Sequence, residues 1–340
     1  MSFLFYYMNM LKITQSNSDM QVGLFQRFEE EKFMKKKSFA SLVLAATLAV
    51  SALTGCGASA PESTTATENN ATETANTEAA PAQDSADKTI RVGATAVPHA
   101  EILDNVVKEV LAEDGWTLET VVFTDYVLPN TSLEQGELDA NYFQTLGYMN
   151  QQNSDAGLHL AAVAGVHIEP MGIYSQKYTV LSDIPDGAKI GIPNDPDNAE
   201  RGIDLLVSKG LLASKGGYGT EEGYTEDSLT KDTEANPHGY VITPLEAAQL
   251  TLALPDLDAA AINGNYALEA GLPAQYPAIE IETFDDETTV KRTNFLVVKQ
   301  GSEDSEKTKA LVKALQSEKV QKYIDDTYKG AVITSFIDAQ

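Results

Sequence analysis

Short apolar runs alternating with helical stripes constrain this 340-residue chain more than any other feature. Thr89-Ile90-Arg91-Val92-Gly93 reads as a strand. It is followed by a helix whose Ile102, Leu103, Val106, Val107, Val110 and Leu111 share one stripe, with Gly115 ending it and Thr120-Val121-Val122-Phe123 supplying the next strand. Strand, helix, strand at this spacing makes a βαβ unit, because a crossover of a dozen residues or more joins parallel neighbours. The pattern recurs with strands at Lys189-Ile190-Gly191-Ile192, Tyr240-Val241-Ile242 and Asp258 to Ile262, and with helices from Ala199 to Lys209 and Glu246 to Leu252. Two more helices, Glu306 to Leu315 and Glu318 to Tyr328, put Leu311, Leu315, Val320 and Ile324 on a sticky face and are expected to cap the first domain. The Gly-, Thr-, Glu- and Asp-rich stretch from Ser214 to Pro237 lacks periodicity and reads as a long surface loop. An α/β fold of two units follows.

The chain ahead of this body divides by composition. Lys35, Lys36 and Lys37, an apolar run from Phe39 to Leu53 and small residues before Cys56 have the order of an export signal. The run is short of the roughly 20 residues a bilayer span needs, so cleavage is preferred over a permanent helix. Leu53-Thr54-Gly55-Cys56 resembles the lipobox of bacterial lipoproteins, which implies lipidation at Cys56. Residues 1–33 lack an export character of their own and read as an extension upstream of a true start at Met34. From Gly57 to Lys88 the chain is Ala, Thr, Glu, Asn, Ser and Pro with no large aliphatic or aromatic residue, a spacer that gives reach rather than a core.

Charge narrows the partners. Residues 1–56 hold 6 of the 24 basic but only 4 of the 50 acidic side chains, so the remainder is more acidic than the whole-chain charge of −26. Such a field opposes nucleic-acid phosphates. The single cysteine excludes an internal disulfide and a multi-Cys zinc site. No nucleophile elbow or phosphate loop is present, and His99, His159, His167 and His238 lie far apart and read as structural or surface residues. Asp195-Pro196-Asp197 lacks the Gly and Glu of a calcium loop and reads as a helix-capping turn. No enzyme activity, cofactor or metal is expected.

Seven runs, in order, carry a resemblance to the methionine-binding lipoproteins of ABC importers, the NlpA/MetQ type. They are GATAVPHAEIL from Gly93, FTDYVLPN from Phe123, LDANYFQ from Leu138, GIPNDPDN from Gly191, LEAAQL from Leu245, DAAAINGNYA from Asp258 and YKGAVITSF from Tyr328. The resemblance spans Val92 to Phe336 and implies a two-lobed periplasmic-binding-protein-like (type II) fold with a ligand cleft between the lobes. On that reading residues 1–33 are the extension, 34–55 the signal peptide, 56–88 the lipidated cysteine and linker, 89–170 plus 292–340 lobe one, and 171–291 lobe two. It also implies a lipid anchor on the extracytoplasmic face of the cell membrane, and a permease with ATPase subunits as partner.

An amino acid presents a carboxylate, an ammonium and a side chain, so its cleft needs a cation, acceptors and an apolar slot. The resemblance places Arg201 at the carboxylate, just inside a helix expected to open at Asp197 or Asn198, where a guanidinium fork can grip both oxygens. Asn263 and Asn265, at the carboxyl end of the strand 258–262, are assigned the ammonium, their oxygens accepting and their amide groups donating. Tyr126 and Phe143 are assigned the side chain, since rings pack well on a polarizable thioether. Many family members have Phe-Gln-His where this chain has Phe143-Gln144-Thr145, and Thr145 leaves room at the pocket. Methionine is therefore the expected ligand, with a methionine derivative, another amino acid or a metal chelate as alternatives, and a surface-anchored adhesive protein as the remaining reading.

Overall fold

The computed structural model describes residues 88–215, 223–225, 228–229 and 232–338. The expected extension, signal peptide, Cys56 and all of the linker but Lys88 lie outside these residues, as does part of the 214–237 stretch. The described chain runs β1 (Thr89–Thr95), irregular helical turns from 96 that end in α1 (Lys108–Glu113), β2 (Thr117–Phe123), α2 (Leu128–Glu134), β3 (Ala140–Thr145), α3 (Leu146–Ala156) and β4 (Leu160–Ile168). It continues with β5 (Gly172–Tyr174), β6 (Lys189–Pro193), α4 (Pro196–Ser208), β7 (Val241–Leu245), α5 (Leu250–Ala253), β8 (Ala259–Ile262), α6 (Gly264–Glu269), α7 (Leu272–Gln275) and β9 (Glu280–Ile281). Last come α8 (Asp286–Arg292), β10 (Asn294–Lys299), α9 (Glu306–Leu315), α10 (Glu318–Tyr328) and β11 (Ile333–Asp338).

These strands form two sheets, one ordered β11-β4-β10-β3-β1-β2 and the other β7-β6-β8-β5-β9. The βαβ units are present, since β1 runs parallel to β2 and β3, and β6 runs parallel to β7 and β8. Neither sheet is wholly parallel. The chain leaves the first sheet after β4 and returns to it as β10, which enters from the second sheet and so runs antiparallel to both β3 and β4. Likewise β5 meets β8 antiparallel. The two crossings, 169–171 and 282–293, are the points at which the sheets are tied together.

Each sheet is covered on both faces, which is why its central strands are apolar almost without interruption. Ile90, Val92 and Ala94 of β1 are fully buried beneath the stripe of Ile102, Leu103, Val107 and Leu111 and the sticky faces of α9 and α10. The opposite face packs Leu133, Met149, Phe295 and Val297. In the second sheet Ile190 and Ile192 pack against Ile203 and Leu206 of α4, while Ala260 and Ile262 pack against Leu250, Leu254 and Ala267. Burying each such aliphatic side chain stabilises the fold by roughly 1.5–3 kcal/mol. Ser305 and Ser317 start α9 and α10 by accepting from the backbone N–H of Thr308 and Val320.

Helix α4 begins earlier than the sequence suggests. Asp195, not Asp197 or Asn198, is its N-cap, accepting from Asn198 N at 2.9 Å, and Pro196 occupies the first helical position, where its missing N–H costs nothing. The shift places Arg201 one and a half turns into the helix rather than at its mouth.

Candidate functional site

The carboxyl ends of the parallel strands in both sheets converge on one small cavity, the location expected of ligands in open α/β sheets. All six side chains assigned from sequence line it: Tyr126, Phe143, Thr145, Arg201, Asn263 and Asn265. Gln144, Tyr148, Glu169, Asn198 and Asn294 complete the wall. Tyr126 comes from the loop after β2, Phe143 to Thr145 from the end of β3, Arg201 from the inner face of α4, and the two asparagines from the turn joining β8 to α6.

The cationic end differs from the sequence expectation. Arg201 is buried, and its fork is already gripped by Glu282, with Nη2 donating to Oε2 at 2.6 Å and Nε to Oε1 at 2.9 Å. Nη2 also donates to the backbone oxygen of Glu169 at 2.8 Å. Neither Asp204 nor Glu200, its neighbours on α4, is the partner. Burial alone would raise the Glu282 carboxyl, but the Arg201 guanidinium, the Met171 N–H and Arg292 together hold Glu282 below the usual carboxylate range. A ligand carboxylate therefore meets an oriented guanidinium that is already neutralised on one edge, not an open fork. Arg292 stands behind, with Nη1 buried and without a hydrogen-bond partner among the described residues. Burial, with Arg201 adding repulsion, lowers its pKa from the usual arginine value.

The two asparagines are set by their hydrogen bonds. Asn198 donates its Nδ2 to Asp195 Oδ1 at 3.0 Å, so its oxygen is left to accept from Asn263 Nδ2 at 2.8 Å. Asn263 then presents a buried Oδ1 with no partner among the described residues. On the other side Tyr126 Oη donates to Asn265 Oδ1 at 2.6 Å, leaving Asn265 Nδ2 buried and unpartnered. Asn263 occupies the N-cap position of α6 yet makes no capping bond with its side chain, so turn chemistry does not account for it. A buried polar atom left unpaired costs about 1–3 kcal/mol. One unpaired acceptor and one unpaired donor in the same cavity wall are complementary to a ligand carrying both an ammonium and a carboxylate.

Three rings form the apolar part. Tyr126 packs 5.7 Å from Phe143 and 5.6 Å from Tyr148, and stacks on Tyr266 of the other sheet's α6 at 4.9 Å. Beside them Thr145 caps α3 and its hydroxyl donates to Asp197 Oδ2 at 3.4 Å. Asp197 belongs to α4 and lies against Gly147 of α3 so closely that an added Cβ would sit 2.2 Å from its Oδ1. The two sheets are thus joined over the cavity by Tyr126–Asn265 and by Thr145–Asp197.

The histidines correct the sequence reading in part. His159 and His238 are exposed, but His99 and His167 are fully buried and meet at Glu169. Thr95 Oγ1 lies 2.8 Å from His99 Nδ1, and His99 Nε2 faces two acceptors, Asn294 Oδ1 and Glu169 Oε1, both at 3.3 Å. Tyr142 hydrogen-bonds to His167 Nδ1, and His167 Nε2 lies 2.6 Å from Glu169 Oε1. With acceptors at both Nε2 atoms, each ring carries a proton on Nε2, and the Thr95 and Tyr142 hydroxyls, which can donate or accept, stand at the two Nδ1 atoms. Burial pushes the His99 pKa down to about 4. Burial alone would raise the Glu169 carboxyl, but the two imidazoles and Arg201 together hold it below the usual value. The three donor atoms lie within 4.8 Å of one another, yet the 2.6 Å contact is a hydrogen bond, well under the roughly 3.3 Å that separates ligands across a tetrahedral zinc with bonds near 2.05 Å.

The arrangement defines a class, a two-lobed periplasmic-binding-protein-like α/β fold with a polar, ring-lined cavity between the sheets. The NlpA lipoprotein family model matches residues 90–336, and the chain belongs to that family. It is similar to the methionine-binding lipoprotein MetQ of Bacillus subtilis, with 36% identity over 254 residues covering 74% of this chain and 89% of that protein. Among solved structures it resembles a nutrient-binding protein from Burkholderia cenocepacia bound to methionine, with a TM-score of 0.66 and 38% identity over 73% of this chain and 100% of that one. It also resembles a periplasmic substrate-binding protein of an ABC transporter from Coxiella burnetii, with a TM-score of 0.64 and 33% identity over 72% of this chain and 100% of that one.

Proposed function

We propose that this chain is the substrate-binding lipoprotein of an ABC importer and that it captures methionine. The observation that carries the reading is the pair of buried, unpartnered atoms Asn263 Oδ1 and Asn265 Nδ2, which share a cavity with the Arg201 guanidinium and the Tyr126, Phe143 and Tyr148 rings. An α-ammonium, an α-carboxylate and a thioether would each find a partner there. The names of the similar proteins, a MetQ among them, support methionine over other zwitterions. Residues 89–170 with 292–340 act as one lobe and 171–291 as the other. Cys56 carries the lipid that holds the body at the extracytoplasmic face of the membrane, and residues 57–88 give it reach to a permease with ATPase subunits.

A thermal-shift screen of the twenty amino acids against the purified soluble body tests the ligand, since a ligand that binds only the folded state adds RT ln(1 + [L]/Kd) to its stability. Methionine is expected to give the largest rise, confirmed by titration calorimetry. A larger shift with another amino acid, and no heat from methionine, would remove the assignment. Labelling of Cys56 by a clickable palmitate analogue in cells, lost on Cys56→Ser, is the outcome that supports the anchor.

A further inference from the structure

Helix α4 carries three charges on one stripe, Asp197, Arg201 and Asp204, spaced four and three residues apart. Arg201, in the middle, is held by Glu282. The acids on either side of it face Arg292, the last residue of α8. The residues that follow tie Arg292 to the first sheet, since Thr293 Oγ1 lies 2.7 Å from Ser335 Oγ of β11 and Asn294 opens β10. Arg292 therefore reaches from the first sheet to a helix that packs on the second. It is 4% exposed, and its guanidinium stands 3.9 Å from each of three carboxylates, with Nη1 toward Asp197, Nη2 toward Asp204 and Nε toward Glu282. None of these is a direct hydrogen bond, which between charged partners needs about 2.7–2.9 Å. Nη1 has no acceptor at all among the described residues. The Thr145 hydroxyl is similarly extended, 3.4 Å from the other oxygen of Asp197. A guanidinium that has lost its water without gaining its bonds is costly, and every long contact here is relieved by α4 moving toward the first sheet.

Resting on the methionine reading, we propose that Arg292 is a positioning residue that latches the two sheets over a bound ligand by closing onto Asp197 and Asp204 of α4, and so sets how long the ligand stays. Arg201 and Arg292 repel one another across the acids they share. A carboxylate that reaches Arg201 from the cavity offsets this repulsion and draws α4 inward. An approach of only about 1 Å then gives Nη1 and Nη2 their acceptors, and the same movement shortens the Thr145–Asp197 bond. Arg292 is not among the residues lining the cavity, so it takes no part in the choice of ligand. Its bonds form after the ligand has entered and must break before it leaves, which places their effect on dissociation.

The test separates dissociation from affinity on the lipoprotein purified in detergent. Bound radiolabelled L-methionine is chased with unlabelled methionine in a rapid-filtration assay, calorimetry gives Kd, and thermal melts check folding. Arg292→Gln is expected to release methionine about 10- to 150-fold faster, the loss of a hydrogen bond between charged groups, with the association rate, taken as koff/Kd, unchanged. Asp204→Asn is measured beside it, because the Asp204 side chain is 62% exposed and its replacement spares the core. It should speed release by up to about 5-fold in the wild type and not at all in the Arg292→Gln background. Should Arg292→Gln give no cooperative melt, Arg292→Lys takes its place, since it keeps the charge but gives up the fork to two acids and should also release methionine faster. Unchanged release, or an affinity loss carried by slower association as a merely structural role would give, overturns the inference while leaving methionine capture intact. Absence of heat from methionine with the wild type removes the methionine reading and this inference with it.

Discussion

Replacing Gly147 by alanine isolates the contact between the two sheets from the ligand's own contacts. Gly147 lies in the first turn of α3, and its added Cβ would stand 2.2 Å from Asp197 Oδ1 and 2.9 Å from Asp197 Cγ. Asp197 is itself buried, within 3.4 Å of the Thr145 hydroxyl and 3.9 Å of Arg292. Relieving the overlap requires α4 to back away from α3 or the carboxylate to abandon those neighbours. Forcing an extra carbon into a packed site costs typically 1–3 kcal/mol, which falls on the state in which the sheets meet. Within the helix, by contrast, alanine is better than glycine by roughly 0.8–1 kcal/mol wherever α4 stands. Methionine affinity is therefore expected to fall by about 5- to 150-fold, while the ligand-free melting temperature holds or rises. Calorimetry and melts on Gly147→Ala, Asp197→Ala and the double variant complete a cycle, and the double variant should recover what the glycine substitution lost relative to Asp197→Ala alone. Wild-type affinity in Gly147→Ala, or equal losses of affinity and ligand-free stability, would refute the account of Asp197 as a contact that joins the two sheets over the cavity.

Arg201→Ala should abolish measurable methionine binding and also lower stability by about 1.5–3 kcal/mol, because it takes from half-buried Glu282 its two-point partner and leaves it the Met171 N–H and Arg292 at 3.9 Å; urea unfolding of Arg201→Ala with and without Glu282→Gln checks this, the second change restoring stability but not binding. Tyr126→Phe removes the 2.6 Å bond to Asn265 Oδ1 and leaves that amide unpaired at both ends, so affinity measured by calorimetry should drop by about 5- to 150-fold at 1–3 kcal/mol. For pH, the His99 pKa is lowered to about 4 from 6.5, so between those values the unfolded chain binds a proton that the folded chain refuses. Its contribution is therefore full above pH 6.5 and is lost as pH falls toward 4, amounting to about 3 kcal/mol. The slope of urea-derived stability between pH 7 and pH 4 should be steeper for the wild type than for His99→Gln, and equal slopes would contradict it.

What the sequence revealed was whatever is encoded locally. The stripe from Ile102 to Leu111 and the faces of α9 and α10 were legible because side chains three and four apart share one side of a helix; α9 and α10 begin and end where the spacing places them, whereas the stripe lies on irregular turns that become regular helix only at α1. The start of α4 was not, since three acceptor side chains compete within Asp195-Pro196-Asp197-Asn198 and only the proline at the first helical position decides for Asp195. The antiparallel insertion of β10 is a property of the chain's return from the second sheet, and no pattern inside Asn294–Lys299 records it.

The same distinction separates the parts of the site. Tyr126, Phe143, Thr145, Arg201, Asn263 and Asn265 were named through motif resemblance and do share one cavity. Glu282, 81 residues beyond Arg201, was invisible because ion pairing across the fold leaves no spacing. Glu169 did leave a trace. It follows directly on the nine-residue strand Leu160–Ile168, in which His167 is the sole ionisable side chain and is itself fully buried. A carboxylate placed against such a run is either exposed or held by donors from elsewhere, and a neighbouring histidine two residues back lies on the same side of the strand. That pairing, read with the equally unexplained His99 after Pro98, points to one buried cluster.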